Sequence, residues 1–240
     1  MKIKILEKSP QADLKVELEH GIWDKERLIS QVRKALLLVA EEFYSTLDID
    51  AGLEDVRFTG SLANFNYTSK SDIDLHLVID FSKVDENSQL VKNYFDAKRV
   101  LWNKKHVITV KGYEVEVYVE NVGEKHISTG IYSISDDEWI VKPTPVNEDS
   151  DLEAANKKAE TIKKEIDAAV SLEDNLEHLQ KIKEKIKKMR QCGLEDGGIF
   201  SAENIAFKTL RNDGDINRLS SAITKEYDRQ HSLPEEVRKT

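Results

Sequence analysis

The apolar residues change period near residue 147, and that change limits the chain to two differently built halves. Residues 72–80 alternate: Asp72, Asp74, His76 and Asp80 lie on one side, Ile73, Leu75, Leu77 and Ile79 on the other. A period of two marks a strand with one buried face. "YEVEVYVE" (113–120) alternates in the same way, with Glu114, Glu116, Tyr118 and Glu120 opposite Val115, Val117 and Val119. From Asp149 onward the period becomes helical. Ala155, Ala159, Ile162, Ile166 and Ala169 form one stripe; Leu172, Leu176, Leu179, Ile182, Ile186 and Met189 form another. Each is the apolar face of an amphipathic helix.

The remaining punctuation fills in both halves. Leu28, Val32, Leu36, Val39 and Phe43 predict a helix over 25–46, with Asp24 as its N-cap. "DVRFTG" (55–60) predicts a short strand entering a Gly-Ser turn. Residues 86–105 predict a helix with Leu90, Tyr94, Ala97 and Leu101 on its apolar face. Strands over 106–110 and 113–120 are joined at Lys111-Gly112, a tight hairpin signal. A second hairpin turns at Ser135-Asp136-Asp137, and Pro143 and Pro145 end the sheet. In the second half "CGLEDGG" (192–198) is expected to break the helical run. Ser201 is expected to cap a helix over 202–211, and a last helix covers 215–229.

Bulk numbers exclude some classes. The chain carries 36 basic and 45 acidic residues, a balance of −9, which disfavours non-specific binding of long polyanions. The single cysteine, Cys192, excludes an internal disulfide and a Cys-rich zinc site, and suits a reducing cytoplasm. No apolar run approaches the roughly 20 residues of a membrane span. "MKIKILEKSPQ" lacks the apolar core of a signal peptide. The expectation is a cytoplasmic protein that does not use a membrane.

The chemistry concentrates in "GSLANFNYTSKSDIDLHLVID" (60–80). Residues i and i+2 of a strand stand about 7 Å apart on one face, so Asp72 and Asp74 can lean toward one point. Carboxylates packed without a cation repel, and one tends to stay protonated. Hard divalent cations remove that penalty. Gly60 permits a close backbone approach just upstream. The Ser61 hydroxyl and the N–H groups after it can hold a phosphate oxygen, and "LANF" (62–65) is expected to open a short helix behind them.

Gly-Ser, ten residues, then Asp-Ile-Asp with apolar neighbours resembles the signature of the DNA polymerase beta-type nucleotidyltransferase superfamily. It is most similar to the minimal, template-independent members: nucleotide second-messenger synthases, antibiotic nucleotidyltransferases and toxin–antitoxin nucleotidyltransferases. The resemblance covers 58–80 specifically and 25–146 loosely. It implies an α+β fold, with a mixed-sheet nucleotidyltransferase catalytic lobe over 1–147 and an all-α helical lobe over 148–240. It implies a third carboxylate on the next acidic strand, Glu116 with Glu114 as the alternative, although the family usually has aspartate there. It further implies two Mg²⁺ ions (or Mn²⁺) on Asp72, Asp74 and Glu116, and NTP phosphates held at Gly60 and Ser61. Lys208 and Arg211, three apart on a helix, are the expected phosphate contacts from the helical lobe. The implied reaction moves an NMP from an NTP to a hydroxyl and releases pyrophosphate. The acceptor is left open between a small molecule, a second nucleotide, a protein side chain and an RNA end.

Blander readings stand beside these. His76 is expected to be a surface or hydrogen-bonded histidine, Asp80 a strand-end residue and Lys70 a solvated lysine. The basic run 181–190 reads as a solvated helix face, since no aromatic residues interleave for base stacking. Phe200, Phe207, Trp23, Trp102 and Trp139 read as packing residues. Two functional alternatives remain: a non-catalytic nucleotide-binding or regulatory protein of the same fold, and an interaction protein built on helices 151–190.

Overall fold

The computed structural model describes residues 15–126, 128–145 and 152–233. They form two compact units, each with its own core: one lies within 15–145, the other within 152–233. The N-terminal segment read against a signal peptide, and the expected boundary at 147/148, lie outside the described residues.

The first unit is α+β with a mixed sheet. It opens with a two-residue ribbon, β1 (Trp23–Asp24) against β2 (Arg27–Leu28), followed by α1 (Ser30–Ser45). The helix predicted from residue 25 therefore starts five residues later, and Asp24 is not its N-cap. Lys25 takes φ +57°, which a helix cannot continue, and Ile29 is the extended residue before the first turn. Then follow β3 (Leu53–Thr59), β4 (Ile73–Ile79) and α2 (Ser88–Lys105). The strands β5 (Thr109–Val110), β6 (Tyr113–Asn121), β7 (Ile131–Ser133) and β8 (Glu138–Val141) complete the unit. Strand order is β5-β6-β4-β3-β7-β8. Among the described strands only β4 and β6 pair in parallel. A parallel pair needs a long crossover, and α2 is that crossover. The Lys111-Gly112 hairpin forms as expected, with both residues at positive φ (55° and 89°).

Alternation sorts the sheet into two faces. Phe58, Ile73, Leu75, Leu77, Val115 and Val117 are buried with Val32, Leu36 and Phe43 of α1 and Val91 and Phe95 of α2. The face expected for α2 was one stripe off. Leu90 and Leu101 are 57% and 66% exposed, and Val91 and Phe95 are buried instead. The two stripes are neighbours on the same helix, and the sheet selects one. At the outer edge of β6, Asn103 donates to Val117 O and accepts from Val117 N, both at 3.1 Å. It thus pairs backbone that an open edge would leave unpaired. Trp23, Trp102 and Trp139 are packing residues as expected; Trp23 stacks on Trp139 with centroids 4.7 Å apart.

The second unit is all helical: α3 (Leu152–Val170), α4 (Leu176–Asp196), α5 (Ala202–Asn212) and α6 (Asp215–His231). The first expected stripe is buried throughout. In the second, Leu179, Ile182 and Ile186 are buried, whereas Leu172 sits in the turn before α4 and is 60% exposed. The expected break over 192–198 falls near the end of that stretch: α4 continues to Asp196, and Gly197, followed by Gly198 at φ +69°, ends it. Gly193 is a packing position instead: a Cβ there would stand 2.4 Å from Glu203 Cβ on α5. Ser201 caps α5 by accepting from Asn204 N. Several charges of the basic run are occupied: Lys181 pairs with Glu177, Lys185 with Glu165, and Arg190 lies over the Phe207 ring at 4.2 Å. Among the described residues no helix is long and apolar enough to cross a membrane.

Candidate metal centre

The polar face of the sheet is built in three rows across β3, β4 and β6. The register sets Thr59, Asp74 and Glu116 side by side, then Arg57, His76 and Tyr118, then Asp55, Val78 and Glu120. The first row, with Asp72 at the entrance to β4, gathers three carboxylates. Asp72, Asp74 and Glu116 each bring one oxygen to within 4.8 Å of the others, and all three are half-buried. The parallel pairing of β4 with β6 makes this possible, because it aligns Asp74 with Glu116 directly. Glu114 is exposed, pairs with Thr109 and is not part of the cluster.

Gly60 is fitted to this cluster. Its φ is +79°, and an added Cβ would fall 1.7 Å from Asp74 Oδ2 and 2.7 Å from Asp74 Cγ. No residue with a side chain occupies that position without displacing the Asp74 carboxylate. Ser61 Oγ donates to Ser71 Oγ at 2.8 Å, which ties the turn to the residue before Asp72. The helix expected at Leu62–Phe65 is a turn, held by Asn64 N donating to Ser61 O. Its carbonyls are committed elsewhere: Leu62 O accepts from Trp23 Nε1, and Phe65 O accepts from Lys15 N. The turn therefore lacks a helix N-terminus, and any phosphate held there meets the turn's own N–H groups and hydroxyls.

Tyr118 and the third row did not stand out in the sequence as functional. The Tyr118 hydroxyl donates to Glu116 Oε2 at 2.6 Å. Burial, then the negative charge of Asp74, then the bond to Glu116 push its pKa upward, so it stays a donor at neutral pH. Its ring stacks on His76, with centroids 4.9 Å apart and planes at 17°. His76 is hydrogen-bonded, as expected, through Nδ1 to Glu120 Oε2 at 2.9 Å. Glu120 also receives Arg57 Nη1 at 2.7 Å on Oε1, and His126 Nε2 lies 2.5 Å from Oε2. Glu120 and Tyr118 share the parity of Glu116 along the strand, which was a legible signal. His126 sits in the connection after β6, where no period marks it. Asp80 is a strand-end residue, as expected: its carboxylate accepts from Ser82 N and Oγ. Lys208 and Arg211 stand on α5 of the helical unit.

Glu120 carries a testable electrostatic consequence. Burial raises its pKa, but the contacts with His126 and His76 outweigh burial and bring it down from 4.5 to about 2. A carboxyl depressed on folding adds stability above its unfolded pKa and loses it as pH falls through the folded one. Glu120→Gln should therefore cost about 3 kcal/mol at pH 7, the scale for breaking a buried ion pair. That difference should shrink between pH 4.5 and 2. Urea midpoints of both proteins across this range check it.

A cleft of about 1100 Å³ in this unit is lined by Trp23, Phe65, Trp139 and Lys142 among others, and by none of the three carboxylates. Charged groups on its walls pair with each other, Lys142 with Glu26 and His20 with Glu17. The converging carboxylates are on the sheet face instead.

Compared with known proteins, the chain matches no family model, and neither the curated proteins nor the solved structures give a significant match.

Proposed function

We propose that this protein is a metal-dependent nucleotidyltransferase that moves a nucleoside monophosphate from an NTP to a hydroxyl acceptor. The observation that carries the reading is the convergence of Asp72, Asp74 and Glu116 beside a glycine whose missing Cβ makes room for Asp74. The donor set fits Mg²⁺ or Mn²⁺: three carboxylates and no nitrogen or sulfur. Oxygens within 4.8 Å also suit a pair of ions 3.5–4 Å apart. Such ions would supply charge neutralisation on the triphosphate and a lowered pKa for the acceptor hydroxyl.

The protein's own groups supply position. Asp72 and Asp74 project from one strand face, and Glu116 is aligned to them by register. The Tyr118 hydroxyl holds one Glu116 oxygen and leaves the other for a ligand. The Gly60-Ser61 turn would offer its N–H groups to phosphate oxygens, and the Ser61 hydroxyl would join them by turning its proton away from Ser71. The acceptor oxygen bonds to the α-phosphorus as the α–β phosphoanhydride bond breaks, and pyrophosphate leaves with that electron pair. The acceptor proton passes to solvent or to a carboxylate.

Incubation with each NTP, Mg²⁺ or Mn²⁺ and a panel of hydroxyl acceptors tests the reading. Release of pyrophosphate that depends on the metal supports it. A protein that is stabilised by an NTP but never consumes one is instead a binding module of the same fold. Tyr118 adds a finer check. Tyr118→Phe should lower kcat about tenfold, equivalent to roughly 1.4 kcal/mol, because Glu116 loses its anchor. KM for the NTP and the melting temperature should change little, and a change confined to the melting temperature would make Tyr118 a packing residue only.

A further inference from the structure

We propose that His76, Glu120 and His126 form a second metal site, distinct in chemistry from the carboxylate cluster and suited to Zn²⁺ or a similar transition-metal ion. One ring nitrogen of each histidine and one Glu120 oxygen lie within 4.8 Å of one another, with His76 Nδ1 and His126 Nε2 both against Glu120 Oε2. Two imidazoles and one carboxylate are a recurrent three-ligand zinc set, with a fourth position left for water. Nitrogen donors favour such ions over Mg²⁺, so the two sites on this face select different metals.

Hydrogen bonding alone accounts poorly for this arrangement. Both imidazoles crowd onto a single oxygen, at 2.9 Å from His76 and 2.5 Å from His126. The second distance is shorter than a charge-assisted N–H···O bond. His126 Nε2 is also buried and makes no well-formed hydrogen bond. Zinc bonds of about 2.0–2.1 Å in tetrahedral geometry place ligand atoms roughly 3.3 Å apart. The two nitrogen–oxygen separations, 2.9 and 2.5 Å, reach that value by shifts below 1 Å.

The surroundings are those of a supported metal ligand. Arg57 Nη1 holds Glu120 Oε1 and leaves Oε2 facing the histidines, the outer-shell contact that ligating carboxylates usually have. The Arg57 charge is balanced by Asp55, whose Oδ2 accepts from Arg57 Nε at 2.9 Å. One carboxylate charge thus remains for the ion. Tyr118 stacks on His76, and His126 meets the His76 ring edge-on at 5.3 Å. A bound ion would tie the connection carrying His126 to β4 and β6, two rows below the carboxylates. The site does not depend on the nucleotidyltransferase reading.

The test is metal binding to the full chain after chelator treatment. Titration with Co²⁺ should give the visible absorption of a tetrahedral nitrogen–oxygen site at one equivalent, displaced by Zn²⁺ and not by Mg²⁺. Asp72→Asn with Asp74→Asn should keep this equivalent, and His126→Gln should lose it. Ring-nitrogen NMR of the unmutated protein provides a second readout that needs no variant. Of six histidines, only His76 and His126 should shift on adding Zn²⁺. Stoichiometry unchanged in His126→Gln, binding lost only in the aspartate variant, or no shift of either histidine would each overturn the proposal.

Discussion

Replacing Asp72 and Asp74 together by asparagine is expected to leave a folded protein that releases no pyrophosphate above background. Neither side chain belongs to the core; both stand on the polar face, opposite Ile73 and Leu75, which are fully buried. The double change removes two of the three converging carboxylates. It also removes like charges that repel when no cation is bound. The melting temperature should therefore hold or rise slightly, while activity falls by at least about 10⁴-fold, on the order of 5.5 kcal/mol of lost transition-state stabilisation. Loss of activity together with loss of fold would mean the carboxylates serve structure. Undiminished activity would remove them from the chemistry.

The second large effect is expected at Gly60. Gly60→Ala meets two obstacles. The left-handed backbone, φ +79°, costs an L-residue roughly 1–2 kcal/mol. The new methyl also coincides with the Asp74 carboxylate, 1.7 Å from Oδ2, so that group must swing away. Displacing a catalytic group by about 1 Å is enough to cost about 100-fold in rate. The variant should thus lose about 100-fold or more in kcat with only a modest drop in stability. Steady-state kinetics and thermal unfolding on the same sample separate the two parts. An active Gly60→Ala would show that Asp74 is free to move without consequence.

Much of the sheet was legible because a period of two is unambiguous. Ile73 to Ile79 and Tyr113 to Glu120 assign every side chain to a face once one face is apolar. That parity put Asp72 with Asp74 on one face of their strand, and Glu116 with Tyr118 and Glu120 on one face of theirs; bringing the two sets together was what the resemblance implied. Glu116 was preferred to Glu114 on the resemblance alone; the parallel register, which no local pattern encodes, is what aligns Glu116 with Asp74. The helices were less legible. Leu90 and Leu101 repeat as well as Val91 and Phe95 do, and only the sheet decides between the stripes. Lys25 began no helix because its backbone turns left-handed, a conformation that the apolar spacing of 28–43 does not report. The stretch 192–198 read as a break, and α4 stops only at its end; Gly193 stays helical and allows α5 to cross α4 closely. His126 was invisible for a different reason. It lies in an aperiodic connection, and its partners His76 and Glu120 are 50 and 6 residues away in sequence.

The central claim is that the three carboxylates on β4 and β6 form the ion-binding half of a nucleotide site. Mn²⁺ binding, followed by electron paramagnetic resonance with and without a non-hydrolysable NTP, tests it most directly. The expected result is weak binding alone, tightened by the nucleotide to two ions per chain, and abolished by Asp72→Asn with Asp74→Asn. An Mn²⁺ affinity that the nucleotide leaves unchanged, or nucleotide-tightened binding that survives the double substitution, would contradict it.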